Sequence, residues 1–225
     1  DVPFKSRTNM ILGPRSTSSS RASCLSVQLP SGGFRDDLNL VDNPDLHGRK
    51  VCLKGDIVES YFGMRIESVD EVEIIRRMTE GIYDEAEFQK ALKWTKENCK
   101  EGFDKNPEFV RKSDEQKEKD WEFVVKMMVI IKDLMNGNKN LPEGCEEEMV
   151  GHNAIVGGFQ GQRQWTDHWP NCDYPEALLN SSFDFEGARE PYTFATENDV
   201  LNGMCMLFMR LLTHRAQIFA DVRTY

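Results

Sequence analysis

The C-terminal stretch Pro191–Tyr225, PYTFATENDVLNGMCMLFMRLLTHRAQIFADVRTY, constrains the fold more than any other part of the chain. Tyr192–Ala195 is a short β-prone run, and Asp199 stands at the N-cap position of an apolar helix, Val200–Leu212. Ala216–Ala220 then reads as a returning strand. Two strands joined by a helix over so short a distance form a parallel pair with a right-handed crossover. Glu197 follows the first strand and Asp221 the second, which predicts two carboxylates at the C-terminal ends of parallel strands. That is the edge where open α/β sheets bind ligands. Neighbouring strands about 5 Å apart would let both acids reach one point.

Converging carboxylates have two chemical uses. They share a divalent cation, for which hard oxygen ligands suit Mg²⁺ or Mn²⁺, or they work as an acid/base pair whose surroundings separate their pKa values. Acids placed just after strands are also commonly solvated loop residues or helix caps, and spacing alone leaves all three readings open. Asp199 is read as structural.

The residues around this unit carry a resemblance. ATENDVLNG (Ala195–Gly203) and AQIFADVRTY (Ala216–Tyr225) resemble the signature of L-fucose isomerases, as do GFQGQRQWTDHWPN (Gly158–Asn171), EALLNSSFDFEGAREP (Glu176–Pro191) and the upstream run Tyr61–Phe88. The resemblance runs in register from about Gly55 to Tyr225. It implies that Glu197 and Asp221 bind Mn²⁺ and serve as the proton-transferring carboxylates, and that Gln160 contacts the sugar. It implies aldose–ketose isomerisation of L-fucose and D-arabinose through an enediolate, by a cytoplasmic enzyme that assembles as a homo-oligomer. It also implies a third metal ligand, a histidine, in a domain beyond Tyr225, and a substrate-recognising domain ahead of the matched part. On that reading this chain is a fragment, inactive alone. A different class of function is a non-catalytic relative that serves as a sugar-binding or assembly module. His214-Arg215 stands where small residues are expected in the turn before the last strand.

Composition bounds these readings. A chain of 225 residues can bury a core. A net charge of −10 argues against nucleic-acid or anionic-membrane partners, and a neutral monosaccharide needs no charge steering. The six cysteines are scattered without a C-x-x-C pair, which points to a reduced, intracellular protein. No apolar run approaches the roughly 20 residues of a membrane span.

Residues 1–50 have a different character: Val2–Arg35 holds no acid, Ser and Arg are frequent, and the segment reads as a disordered tail with some likeness to a transit peptide. Residues 51–225 read as one α/β domain, a parallel, doubly wound, Rossmann-like sheet flanked by helices. Phe62–Val69 is the first strand of that domain. Asp70 with Glu73, Asp84 with Glu87, and Ser113 with Gln116 open three helices. The second presents Phe88, Ala91, Leu92, Thr95 and Cys99 inward. The third presents Trp121, Val124, Val125, Met128, Ile131 and Leu134 and closes at Gly137. Its methionines read as core filler. Asn153–Phe159 is a small strand ending in glycines, followed by Gln160 and Arg163; neither a dinucleotide fingerprint nor a Walker lysine is present. Trp165 and Trp169 fit a sugar platform or, equally, a hydrophobic lid or core role. His152 and His168 lack metal-ligand spacing. Asp173 and Glu176 open a further helix through Asn180.

Overall fold

The computed structural model describes residues 9–14, 58, 60–104, 106–159, 165–166, 168–196 and 200–218. In chain order the elements are strands β1 (Asn9–Pro14) and β2 (Met64–Val69), helices α1 (Val72–Glu80), α2 (Glu85–Asn98) and α3 (Asp114–Asn136), strand β3 (Val156–Phe159), helix α4 (Asp173–Leu179), the short hairpin β4 (Phe183–Asp184) and β5 (Gly187–Ala188), strand β6 (Phe194–Thr196), and helix α5 (Val200–Thr213). The four longer-range strands form one sheet in the order β2-β1-β3-β6.

The α/β class read from the sequence is therefore observed, but the sheet is mixed. Strand β1 runs antiparallel to both β2 and β3, and among the described strands only β3 and β6 are parallel. The expectation of a disordered tail over residues 1–50 does not extend to Asn9–Pro14. NMIL is the tail's opening apolar run, and as an inner strand its backbone is paired along both edges. The rest of that tail lies outside the described residues.

The expected parallel pair within Pro191–Tyr225 is described in its first strand and helix, and in its second strand only as far as Ile218. Strand β6 forms within a residue or two of the expected Tyr192–Ala195, and α5 follows almost as read; among the described residues the strand beside β6 is β3, parallel to it. Residues 214–218 adopt no strand, Ile218 is 82% exposed, and the chain from Phe219 lies outside the described residues. Helix α5 closes through His214, whose N–H donates to the Arg210 carbonyl at φ 52. That left-handed conformation favours glycine over a bulky residue, the physical sense of the small residues expected in this turn.

The sheet carries a core on each face, as the alternation along its strands requires. Phe159 and Phe194 point into the larger core with α1 to α4, whereas Val156 and Met64 point the other way, into a smaller core with Val58 and with Val200, Met204 and Leu207 of α5. Helix α3 is the centre of the larger core. The expected inward stripe is buried except for half-buried Trp121, and Met127, Val129, Ile130 and Met135 on the other faces are buried too. A period-3.6 stripe predicts one buried face; here α1, α2 and α4 pack around the same helix and cover the rest. Each such Leu, Ile or Met contributes about 1.5–3 kcal/mol relative to exposure. The capping signals hold in part. Asp84 and Ser113 accept from the N–H of Glu87 and Gln116. Asp70 accepts from Val72, while Glu73 turns away from the box to bind Arg76 and Arg77. Cys172, one residue earlier than expected, occupies the cap of α4.

Candidate functional site

The pair that positions the candidate site is β3 and β6. They run parallel in the register Gly157↔Phe194, Gly158↔Ala195 and Phe159↔Thr196, so both strands end at paired residues. Gln160 and Glu197 are the next residues in the sequence. Gln160, Glu197 and Asp221 themselves lie outside the described residues, as does Arg163.

What stands behind the strand ends is a wall of aromatic rings. Phe159 and Phe194 are fully buried, and Trp165 packs edge-on against Phe159 with centroids 5.1 Å apart. The Trp165 indole N–H donates to the Pro170 carbonyl at 2.6 Å, which satisfies its one polar group inside the core. Phe123 of α3 then stacks on Trp169 at 5.4 Å and an interplanar angle of 8°. The series runs from the end of β3 to a half-exposed indole at the surface. Of the two roles weighed for the tryptophans, Trp165 has the core role and Trp169 retains an open face.

On the outer edge of β6 sits a residue that the sequence places only at the end of a helix. Asn180, just past α4, is buried; its side-chain amide donates to the Phe194 carbonyl at 2.7 Å and its oxygen accepts the Phe194 N–H at 2.9 Å. Asn180-Ser181-Ser182 spells a glycosylation sequon, and the burial of Asn180 closes it off. Arg189 ties the same region together. It donates to Asp184 and to the carbonyls of Leu178 and Leu179, and lies 4.7 Å over the Tyr192 ring. The signal for Asn180 is faint, because a polar residue at a helix end is usually a solvated cap.

Among the described residues the other titratable groups offer no reactive centre. Burial pushes the Cys172 thiol well above its ordinary value, assisted by the Glu176 carboxylate, and raises Cys99 as well, so neither presents a ready thiolate. Cys99, Cys145, Cys172 and Cys205 carry free thiols. His152 meets Glu67 of β2 through Nδ1 at 3.0 Å, a structural contact across the sheet rim. Asp133 of α3 is buried, and that burial, against the attraction of Lys132 and the Asn138 amide, lifts it to about 6. Among the described residues no three His, Cys, Asp or Glu side chains are grouped to hold a metal ion. As a donor set, Glu197 and Asp221 are hard oxygen ligands of the kind a divalent cation takes, and two carboxylates leave further positions to be filled. No described helix is long and apolar enough to cross a membrane.

A small sheet with helical layers on both faces defines an α/β protein whose parallel strand pair ends beside the candidate residues. Comparison with known proteins makes this specific. A family model described as the second N-terminal domain of L-fucose isomerase matches residues 50–214. The L-fucose isomerase of Bacteroides thetaiotaomicron is 62% identical over 175 residues, covering 76% of this chain. That of Streptococcus pneumoniae is 61% identical over 171 residues with the same coverage. The chain belongs to the L-fucose isomerase family, and it spans about 29% of the length of these relatives. A second model, a domain of unknown function, matches residues 1–74, less than half of the chain.

Proposed function

We propose that this chain supplies the carboxylate-bearing sheet edge of a ketol isomerase that converts L-fucose to L-fuculose, and D-arabinose to D-ribulose. The observation that carries the reading is the parallel β3/β6 pair, whose strands end in register at Phe159 and Thr196 directly before Gln160 and Glu197. Covalent continuity brings an amide and a carboxylate to one edge of one sheet. Residues 51–225 act as the middle domain, and the completed sheet is doubly wound in the Rossmann manner. The working enzyme is a cytoplasmic homo-oligomer.

The chemical difficulty is a C–H proton beside a carbonyl, which an ordinary carboxylate removes slowly in water. Glu197 and Asp221 would hold Mn²⁺, which would supply Lewis-acid stabilisation of the negative charge that develops on the substrate. Glu197 and Asp221 also carry the proton between C2 and C1 of the open-chain sugar: the base accepts it from C2 and returns it to C1, while the O2 hydroxyl proton passes to O1, leaving the carbonyl at C2. No net charge or redox equivalent leaves the site. Gln160 orients a hydroxyl, which fixes the reacting carbons against the base.

The test places residues 55–214 of this chain into the corresponding span of the Bacteroides thetaiotaomicron enzyme and follows L-fucose turnover. Retained turnover that Glu197→Gln removes, with the melting temperature unchanged, supports the reading. A correctly folded hybrid without turnover favours the non-catalytic module, and full activity in Glu197→Gln rejects the catalytic assignment.

A further inference from the structure

The cleft between α3 and the Trp165–Asn171 segment is a site the isomerase reading does not use. It encloses about 460 Å³ and is floored by Trp121 and Trp169, with Tyr174 behind them. This volume lies within the range of small-molecule pockets, roughly 300–1,000 Å³. Trp169 is 41% exposed and is held flat by its stack on Phe123, while Trp121 is fixed edge-on against Tyr174 at 5.4 Å. A single exposed aromatic is unremarkable on a protein surface. Two tryptophans from different elements, both immobilised from behind and both lining one cleft, form a prepared platform, and little side-chain entropy remains to be lost on binding.

The rim decides what kind of ligand fits. Lys112 is paired with Asp120 and Lys117 with Glu101 at 2.7 Å, so the charges that line the cleft balance, two against two. An anion or a cation would have to break one of those pairs. A neutral ligand rich in hydroxyl groups would not. Each ammonium carries three donors and each carboxylate several acceptor sites, so a paired lysine and acid retain capacity for a hydroxyl beside them. The face of an indole is electron-rich and attracts the electropositive C–H face of a saturated ring. We propose that this cleft binds a neutral pyranose ring, stacked on Trp169 and bonded at its hydroxyls by the Lys112/Asp120 and Lys117/Glu101 pairs. Its lining includes none of Gln160, Glu197 and Asp221, and it stands or falls independently of the isomerase assignment.

The probes are methyl α-L-fucopyranoside and methyl α-D-glucopyranoside. Their blocked anomeric carbon prevents ring opening, so they cannot be turned over by a ketol isomerase. The four indole N–H resonances of the ¹⁵N-labelled chain are followed during titration. Saturable shifts of Trp121 and Trp169, with Trp94 on α2 unmoved, are expected, and Trp169→Ala should weaken binding at least tenfold while Trp169→Phe stays within about threefold. No saturable shift with either glycoside overturns the proposal. So does a shift confined to Trp94 or Trp165, or binding unchanged in a folded Trp169→Ala variant. If that variant fails to fold, the pattern of shifts in the wild-type chain decides alone.

Discussion

Asn180 occupies the outer edge of β6 by bonding both backbone groups of Phe194, at 2.7 and 2.9 Å. Alternate residues of a strand direct their backbone groups to opposite sides, and Thr193 already faces β3 by accepting from Gly157. The Asn180 amide thus does at Phe194 what a neighbouring strand would do. Replacing it by Ala strands a buried donor and a buried acceptor, at about 1–3 kcal/mol each. Asn180→Ala is expected to lose about 2–5 kcal/mol in urea unfolding. Asn180→Asp keeps the acceptor but loses the donor at neutral pH, and should recover part of its stability in acid, where a protonated carboxyl donates again. A loss below about 1 kcal/mol in Asn180→Ala would show that water replaces the amide.

This contact also shows what was legible in the sequence. Burial patterns and caps came through because they are local: Phe88, Ala91, Leu92 and Thr95 on α2, or Ser113 before α3, announce themselves within one turn. Partner choice did not, because it depends on distant groups. Nothing within Pro191–Tyr225 says that Asn180 bonds the β6 edge at Phe194, or that β3 lies beside β6. The same limit explains α3. Its stripe was readable, but the layers on its remaining faces come from α1, α2 and α4, and only the assembled core makes Met127, Ile130 and Met135 interior. For the candidate site, position after apolar runs singled out Gln160 and Glu197; the structure adds that the strands preceding them, β3 and β6, end in register, and the two residues themselves lie outside the described ones.

Gly137 and Gly151 close the connection between α3 and β3, and a side chain at either has nowhere to go. Gly137 has φ 78 and ψ 163, a region open in practice to glycine alone, and a Cβ there would meet the Val150 carbonyl oxygen at 2.5 Å. At Gly151 a Cβ would run into the backbone of Gly137. Gly81 also has positive φ, 73, but open space around its Cβ position. Gly137→Ala should therefore cost about 3 kcal/mol or more and Gly81→Ala about 1–2 kcal/mol, the ordinary left-handed penalty. Equal losses in thermal unfolding would mean that backbone conformation alone, and not the close approach, sets the cost.

Asp133 gives the fold a pH dependence of opposite sign to that of a salt-bridged acid. Burial raises it to about 6, although Lys132, the Asn138 amide and Arg77 favour its charged form; Asp84 adds to the rise. One oxygen accepts from Asn138 at 3.0 Å and the other, Oδ2, has no hydrogen-bond partner. A folded-state value above the unfolded one means that the native state holds the proton more tightly. This group's contribution is then favourable below about pH 4 and is lost as pH rises through about 6. The full swing is at most about 3 kcal/mol. Asp133→Asn removes the titration, so the stability of the variant relative to wild type should rise between about pH 4 and pH 7. A constant difference across that range would mean that Asp133 stays charged throughout.

Metal binding tests the carboxylate pair without relying on turnover. Two hard oxygen donors delivered by Glu197 and Asp221 would hold Mn²⁺ only when both are ionised, so affinity should fall as pH drops through the carboxylate range. Calorimetric titration of the chain with Mn²⁺ alone is expected to show saturable binding that Asp221→Asn weakens at least tenfold. Glu197→Gln should have the same effect, because each removes one of the two charges. Binding that survives both substitutions would place the ion elsewhere and remove the pair from the proposed mechanism. Binding lost in Glu197→Gln but kept in Asp221→Asn would divide the roles, leaving Glu197 as the ligand and Asp221 outside the metal's reach in this chain.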